Sequence, residues 1–503
     1  MSGYPRPRPV PLALAGLVAL LALLALACAP RQEPTATPTP TPTSRAPTAT
    51  PTPTPTLRPG ETPPVATPTP TSTPTPTPGA PAKRGGTLRA MHRESPPSFS
   101  IHEEATISTV WPLMPAYNNL VLFDPLQKQE SMDTIMGELA ESWETQDGGR
   151  KLVFTLRQGV QWHDGRPFTS RDVKATFDVI REEMGDKKLR VNPRKLWYSN
   201  VQSIDTPDDR TVVFNLEAPQ AGLLAMLASG YTPIYPAHVL EDNPQRLRTE
   251  IVGTGPFKLK DYRPGEVLVL QRNPDYFVQG RPYLDEIHYI IITDRAGRNA
   301  ALSAGRLDIS FPGEITKDAA DEFRRVRPDL VITETTTNVN DNIIMNTNIE
   351  PYSNPQVRRA ISLAIDRQAY AQVVRRGAAI PGAAMLPAPW GAWGLPPERL
   401  QQLPGYGDPA AQKEEAKRLL ADAGYPNGFD CVMSTRAIAI YIDFATFVLG
   451  ELEKVGLNCT LEQIETGVWH PKVTRRDYQI GSNLTGIGPD DPDANFFENY
   501  TCG

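Results

Sequence analysis

Cys431-Val-Met-Ser434, a helix-forming run from about Tyr441 to Val455, and Leu457-Asn-Cys-Thr-Leu461 follow one another as strand, helix and strand. Strands joined by a crossover helix run parallel, so the segment is a βαβ unit and sets the class of the chain as α/β. Upstream of it, Asp408-Pro409 opens a helix that carries Leu419 and Leu420 and stops at Gly424. Proline is preset for a first helical turn, and glycine is free to end the last one. Ser353 precedes another helix, with Val357, Ile361 and Ile365 on one stripe. Thr169, with Asp172 three places on, makes a capping-box start for a helix whose Val173, Phe177 and Ile180 share a face. Strands are expected at Lys151 to Arg157, Thr211 to Leu216, Val267 to Leu270 and His288 to Thr293. The last is a continuous apolar run, which reads as a fully buried strand. The first half therefore has the more antiparallel character.

Folded structure is expected from Gly85-Gly86-Thr87-Leu88 onward, and what precedes it has another use. Arg6 and Arg8 give a positive start, Val10 to Ala27 is almost wholly apolar, and Ala25-Leu26-Ala27 offers small residues before Cys28. That pattern predicts a signal peptide over 1–27, cut before Cys28. A cysteine at this place resembles a bacterial lipobox, so Cys28 is the expected lipidation site; release by an ordinary Ala-x-Ala cut is the alternative. From Gln32 to about Pro81 the chain is Thr-Pro repeat with little apolar surface to bury. Such a stretch forms no core and favours extended polyproline II, which makes residues 28–84 an anchor and spacer.

Composition excludes several functions. A net charge of −6 over 503 residues, with no dense Lys/Arg stripe, gives no basis for a nucleic-acid partner. No Gly-x-x-x-x-Gly-Lys-Ser/Thr occurs, so the chain does not itself hydrolyse nucleotide to do work. The six histidines are scattered, with no His-Glu-x-x-His. His163-Asp164 lacks partners for catalysis and reads as a turn. Asp491, Asp493 and Asn495 have the spacing that starts a calcium loop, but Phe496 and Cys502 stand where its Gly and Glu belong. No metal, no cofactor and no enzymatic activity are expected.

Several separated blocks, in one order, resemble the extracellular solute-binding proteins of family 5, the dipeptide-, oligopeptide- and nickel-binding group. They are Gly137-Glu-Leu-Ala-Glu-Ser-Trp143, Trp162-His-Asp-Gly-Arg-Pro-Phe-Thr-Ser-Arg-Asp-Val173, Val252-Gly-Thr-Gly-Pro-Phe-Lys-Leu259 and Arg272-Asn-Pro-Asp-Tyr-Phe277. Asn354-Pro-Gln-Val-Arg-Arg-Ala-Ile361 with Ala364-Ile-Asp-Arg367, and Ala416 to Tyr425, continue the series. The resemblance implies a two-lobed periplasmic-binding-protein fold (type II, cluster C) with an extra subdomain in the first lobe. The first-lobe core would be 85–123 plus 251–335, with the insert at 124–250, and the second lobe 336–503. It also implies capture of dipeptides or oligopeptides by a monomer outside the cytoplasm and delivery to a separate ABC permease and ATPase. Nickel chelates, haem, opines and sugars are alternative solutes, and a receptor is an alternative partner. Family members continue past the equivalent of Asn495 and cross back to the first lobe. This sequence stops at Tyr500-Thr-Cys-Gly503, which predicts a fragment of lowered stability.

The same resemblance points to ligand contacts. Peptide-binding members pair the ligand's α-amino group with an Asp in a Gly-x-Gly-x-Asp stretch, matched here by Gly486-Ile-Gly-Pro-Asp490. The other reading of Asp490, Asp491 and Asp493 is a solvated turn. Thr109 and Trp111 fall near the cleft by family position, and Trp390 and Trp393 lie in a Pro/Gly loop of the second lobe. Aromatic rings suit ligand pockets, with packing between subdomains as the alternative. Cys431 and Cys459 occupy matching places in the strands of the βαβ unit. Outside the cytoplasm they form a disulfide or stay as two buried thiols, with Cys502 left over.

Overall fold

The computed structural model describes residues 83–127, 130–387, 390–486 and 490–493. Cys28, the Thr-Pro stretch and Cys502 lie outside these residues. Three four-stranded sheets organise the rest. The first has the order β1-β10-β9-β8, from β1 (Thr87–His92), β8 (Phe257–Arg263), β9 (Val267–Arg272) and β10 (Glu286–Ile291). β1 and β10 are parallel, and the other two pairs are antiparallel. β10 alternates rather than running buried throughout: Ile287, Tyr289 and Ile291 are buried, whereas His288 and Ile290 are half-buried. The continuous apolar run misled because the two faces of this sheet meet different partners. Ile287 and Tyr289 enter the main core, and Ile290 packs on a smaller cluster of Met91, Leu302, Phe311 and Phe323.

A two-stranded ribbon, β2 (Val121–Phe123) with β3 (Ile135–Gly137), leads into the second sheet. This sheet, β4-β5-β7-β6, is wholly antiparallel and comes from β4 (Ala140–Gln146), β5 (Lys151–Leu156), β6 (Val201–Asp208) and β7 (Thr211–Leu216). β5 and β7 bury every second residue, as a sheet with one wet face requires. On the dry face lies the helix Ser170–Arg181, with Val173, Phe177 and Ile180 fully buried. Each such side chain contributes roughly 1.5–3 kcal/mol by leaving water. The helix begins with the capping box read from Thr169 and Asp172: the Thr169 amide donates to the Asp172 carboxylate at 2.8 Å. This sheet and the first share one continuous core.

The third sheet, with its own core, has the order β11-β14-β12-β13. Its strands are β11 (Val339–Met345), β12 (Phe429–Arg436), β13 (Leu457–Ile464) and β14 (Ile480–Gly486). β12 is parallel to both β13 and β14. The helix Ala439–Glu453 crosses from β12 to β13, completing the βαβ unit. Pro355–Ala364 is capped by Asn354, one residue later than Ser353, because the Asn354 side chain accepts from the Gln356 amide. Pro409–Asp422 is capped by Asp408, and Gly424 beyond it takes φ +94°.

Candidate functional site

The carboxyl ends of parallel strands are where an open α/β sheet exposes its helix-starting loops and unpaired polar groups. β12 ends on Arg436, whose side chain is 2% exposed. From there it crosses to the first lobe. Its Nη2 donates to the Glu94 carboxylate at 2.7 Å and to the Thr106 hydroxyl at 3.2 Å. Glu94 lies two residues beyond the end of β1, and Thr106 caps the helix Ile107–Leu113. Within the second lobe, Arg436 Nη1 donates to Tyr441 Oη at 2.7 Å, and its Nε to the Thr466 hydroxyl at 3.0 Å. Thr466 and Ser108 both donate to Glu94 as well. Burial pushes the Glu94 carboxyl up, but the Arg436 and Arg93 guanidiniums and the two hydroxyls outweigh it and hold the group below its usual range.

A second layer of charge lies behind this pair. Arg93 sits over the Phe311 ring, 4.5 Å from its centroid, and 3.8 Å from Glu314. Glu314 also takes the buried Arg298. Arg295 reaches Asp443 of the second lobe at 2.8 Å. Beside Arg436, burial and the neighbouring cation lower His470 to about 3, so its ring is neutral. The His470 Nε2 is buried and meets no hydrogen-bonding partner among the described residues.

Asp490 lies four residues beyond the end of β14 and is half-buried. Its Oδ2 accepts from the Ala392 amide at 2.7 Å, and its Oδ1 is buried with no hydrogen-bonding partner among the described residues. Ala392 belongs to the Pro/Gly loop, so the fold brings Asp490 to the loop of Trp390 and Trp393, whose rings are exposed. Asp491 approaches the first lobe closely: its Oδ1 lies 2.6 Å from where a Cβ on Gly222 would stand. Trp111 packs differently. It stacks on His92 and meets Tyr289 and Phe311 edge-on, inside the first lobe. Thr109 is fully buried, its hydroxyl directed at the Ser98 carbonyl. Cys431 and Cys459 pair in register on β12 and β13 and are joined as a disulfide, with Cα atoms 4.2 Å apart. His163 bonds the Gly255 carbonyl, and burial lowers it to about 4, a neutral ring holding a turn.

Sequence reasoning missed Arg436, Glu94 and Thr466. One signal was available: Arg436 ends the first strand of the βαβ unit, where such sheets place ligand contacts.

Residues 134–503 match the family described as bacterial extracellular solute-binding proteins, family 5 Middle. The glutathione-binding protein GsiB of Salmonella typhi is 30% identical over 330 residues, covering 65% of this chain and 61% of that protein. The chain thus spans less than two thirds of that relative's length. The probable D,D-dipeptide-binding periplasmic protein DdpA of Escherichia coli K12 is 28% identical over 403 residues, 77% of this chain and 71% of that one. Among solved structures, the periplasmic binding protein DppA of Helicobacter pylori, in complex with peptide STSA, superposes with a TM-score of 0.71 at 24% identity. That match covers 83% of this chain and 81% of DppA and establishes the two-lobed fold.

Proposed function

The chain belongs to the bacterial extracellular solute-binding proteins of family 5, and on that premise we propose that it captures short peptides between its two lobes and passes them to an ABC permease. In this reading the first lobe is 85–123 plus 251–335 with the insert 124–250, and it closes against 336–503 without altering the solute. The observation that carries the reading is the pairing of opposite charges at neighbouring strand ends. β12 ends on the cation Arg436, and the adjacent parallel strand β14 leads to the anion Asp490. A short peptide is a zwitterion, and one fixed cation and one fixed anion match its two termini. The buried Oδ1 of Asp490, which has no hydrogen-bonding partner among the described residues, suits an ammonium group in a closed cleft, and the exposed Trp390 and Trp393 on the loop it holds suit side chains. The peptide-binding names among the relatives agree in ligand class.

In the same reading Cys28 carries the lipid that tethers the Thr-Pro spacer to the membrane. Metabolic labelling with a tagged fatty acid should mark the wild-type chain and not Cys28→Ala. The peptide reading is tested by mass spectrometry of what the purified chain retains, followed by calorimetry with those peptides. Asp490→Asn should weaken binding roughly tenfold to a hundredfold, the worth of a charge-assisted hydrogen bond. Retention of a non-peptide solute, or unchanged affinity in Asp490→Asn, would refute it.

A further inference from the structure

Among the described residues Glu94 and Arg436 form the most enclosed ion pair between the lobes, and the peptide reading leaves Glu94 without a role. The carboxylate is wrapped on every side. Arg436 and the Thr466 hydroxyl come from the second lobe, and Ser108 comes from the first. Arg93 Nε stands 3.9 Å away on its own segment. Arg436 is held as fully, by Glu94, Thr106, Tyr441 and Thr466. Nothing in this arrangement needs a solute. A first-lobe carboxylate occupies the guanidinium that a solute's carboxylate would seek.

We infer that Glu94 is a built-in counter-ion: it clasps the lobes shut without solute and competes with the solute's carboxylate for Arg436. Two consequences follow, the second of which rests on the peptide reading. The empty chain populates a closed form. A solute bearing a free carboxylate displaces Glu94, whereas one ending in a neutral amide leaves the clasp in place, so Glu94 tunes specificity against free acids. Removing one partner of a buried pair leaves the other uncompensated, which the chain relieves by opening and hydrating it. For Glu94→Gln the carboxylate is gone, and Arg436 becomes available to an incoming one.

The experiment uses the full chain with two fluorophores, introduced by noncanonical residues at the exposed positions Lys260 and Glu453. Without solute, wild type should show a dominant short distance. Glu94→Gln and Arg436→Met should each shift the closed-to-open ratio toward open by roughly tenfold or more. The double variant should open no further than either single one, because both remove the same contact. Alanyl-phenylalanine and its C-terminal amide are then titrated into wild type and Glu94→Gln. The ratio of acid to amide affinity should rise roughly tenfold in the variant, a comparison from which the cost of closure cancels. An open wild type, unchanged distances in both variants, or an unchanged ratio would overturn the inference. If neither peptide binds wild type, the peptide reading fails, while the solute-free distances still decide whether the clasp exists.

Discussion

Two half-buried glutamates in this protein are shifted in opposite directions. Glu94, at the seam between the lobes, stays ionised because guanidiniums from both sides reach it. Glu138, where β3 gives way to β4 in the first lobe, is pushed by burial up to about 7. Its oxygens accept from the Asn118 side chain at 2.5 Å and the Asn119 amide at 2.6 Å, but these donors are neutral, and the Arg157 charge is too weak a counterweight. Hydrogen bonds from neutral groups satisfy a carboxylate geometrically without offsetting the loss of hydration of its charge; a cation supplies what they lack. One glutamate carries charge at the seam between the lobes. The other fastens the β2–β3 ribbon to the segment around Asn118 and works as well neutral.

The sharpest way to break this contrast is to take the cation from Glu94. Arg436→Met should cost on the order of 3 kcal/mol at neutral pH in the combined free energy of closing and folding, with less lost in acid, where Glu94 protonates. Denaturant titrations at pH 7 and at successively lower pH measure both; equal losses throughout would mean the pair's charge is irrelevant. The two carboxylates should next show opposite pH signatures. For Glu138 the folded state keeps a proton that the unfolded chain has shed, so stability falls as pH rises from the ordinary value of 4.5 to about 7, by at most about 3 kcal/mol. Glu138→Gln should flatten that slope in melts taken across the same range. For Glu94 the depressed folded pKa means its stabilisation is complete above the ordinary carboxylate range and vanishes as pH falls through the depressed one. The lobe-to-lobe distance should therefore lengthen in acid for wild type and not for Glu94→Gln. The smallest effect concerns the neutral donors. Thr254 is buried and donates to Asn118 Oδ1 at 3.0 Å, fixing which way that amide faces Glu138. Thr254→Val should cost about 1–2 kcal/mol, read from urea midpoints, by leaving that oxygen unpaired.

The elements were largely legible because each rests on neighbours a few residues apart. Thr169 and Asp172 close a capping box over one turn, and Asp408-Pro409 and Gly424 bracket a helix by backbone preference alone. The βαβ unit followed from two apolar runs and the helix between them. Errors arose where a residue's surroundings, rather than its neighbours in the chain, decided the outcome. The run from His288 looked buried on both faces, yet β10 lies between a large core and a small one that covers its second face only in part. Thr109 and Trp111, expected near the cleft by family position, stand on the helix that carries Ser108, a donor to Glu94; Thr109 is buried and Trp111 stacks on His92.

The candidate site divides along the same line. Asp490 and the two tryptophans could be named from motif and composition, but their meeting depends on the Ala392 amide reaching across to Asp490. Glu94 carries no local mark, and Arg436 carries only its place at the end of the first βαβ strand. They are 342 positions apart, each in a segment that reads as ordinary strand or turn. Period and capping act over a turn or two of backbone, so the chain's own pattern suffices to set class, elements and order. Which charges face each other across a seam depends on how separately cored sheets come together, and that is settled only when the whole chain has folded.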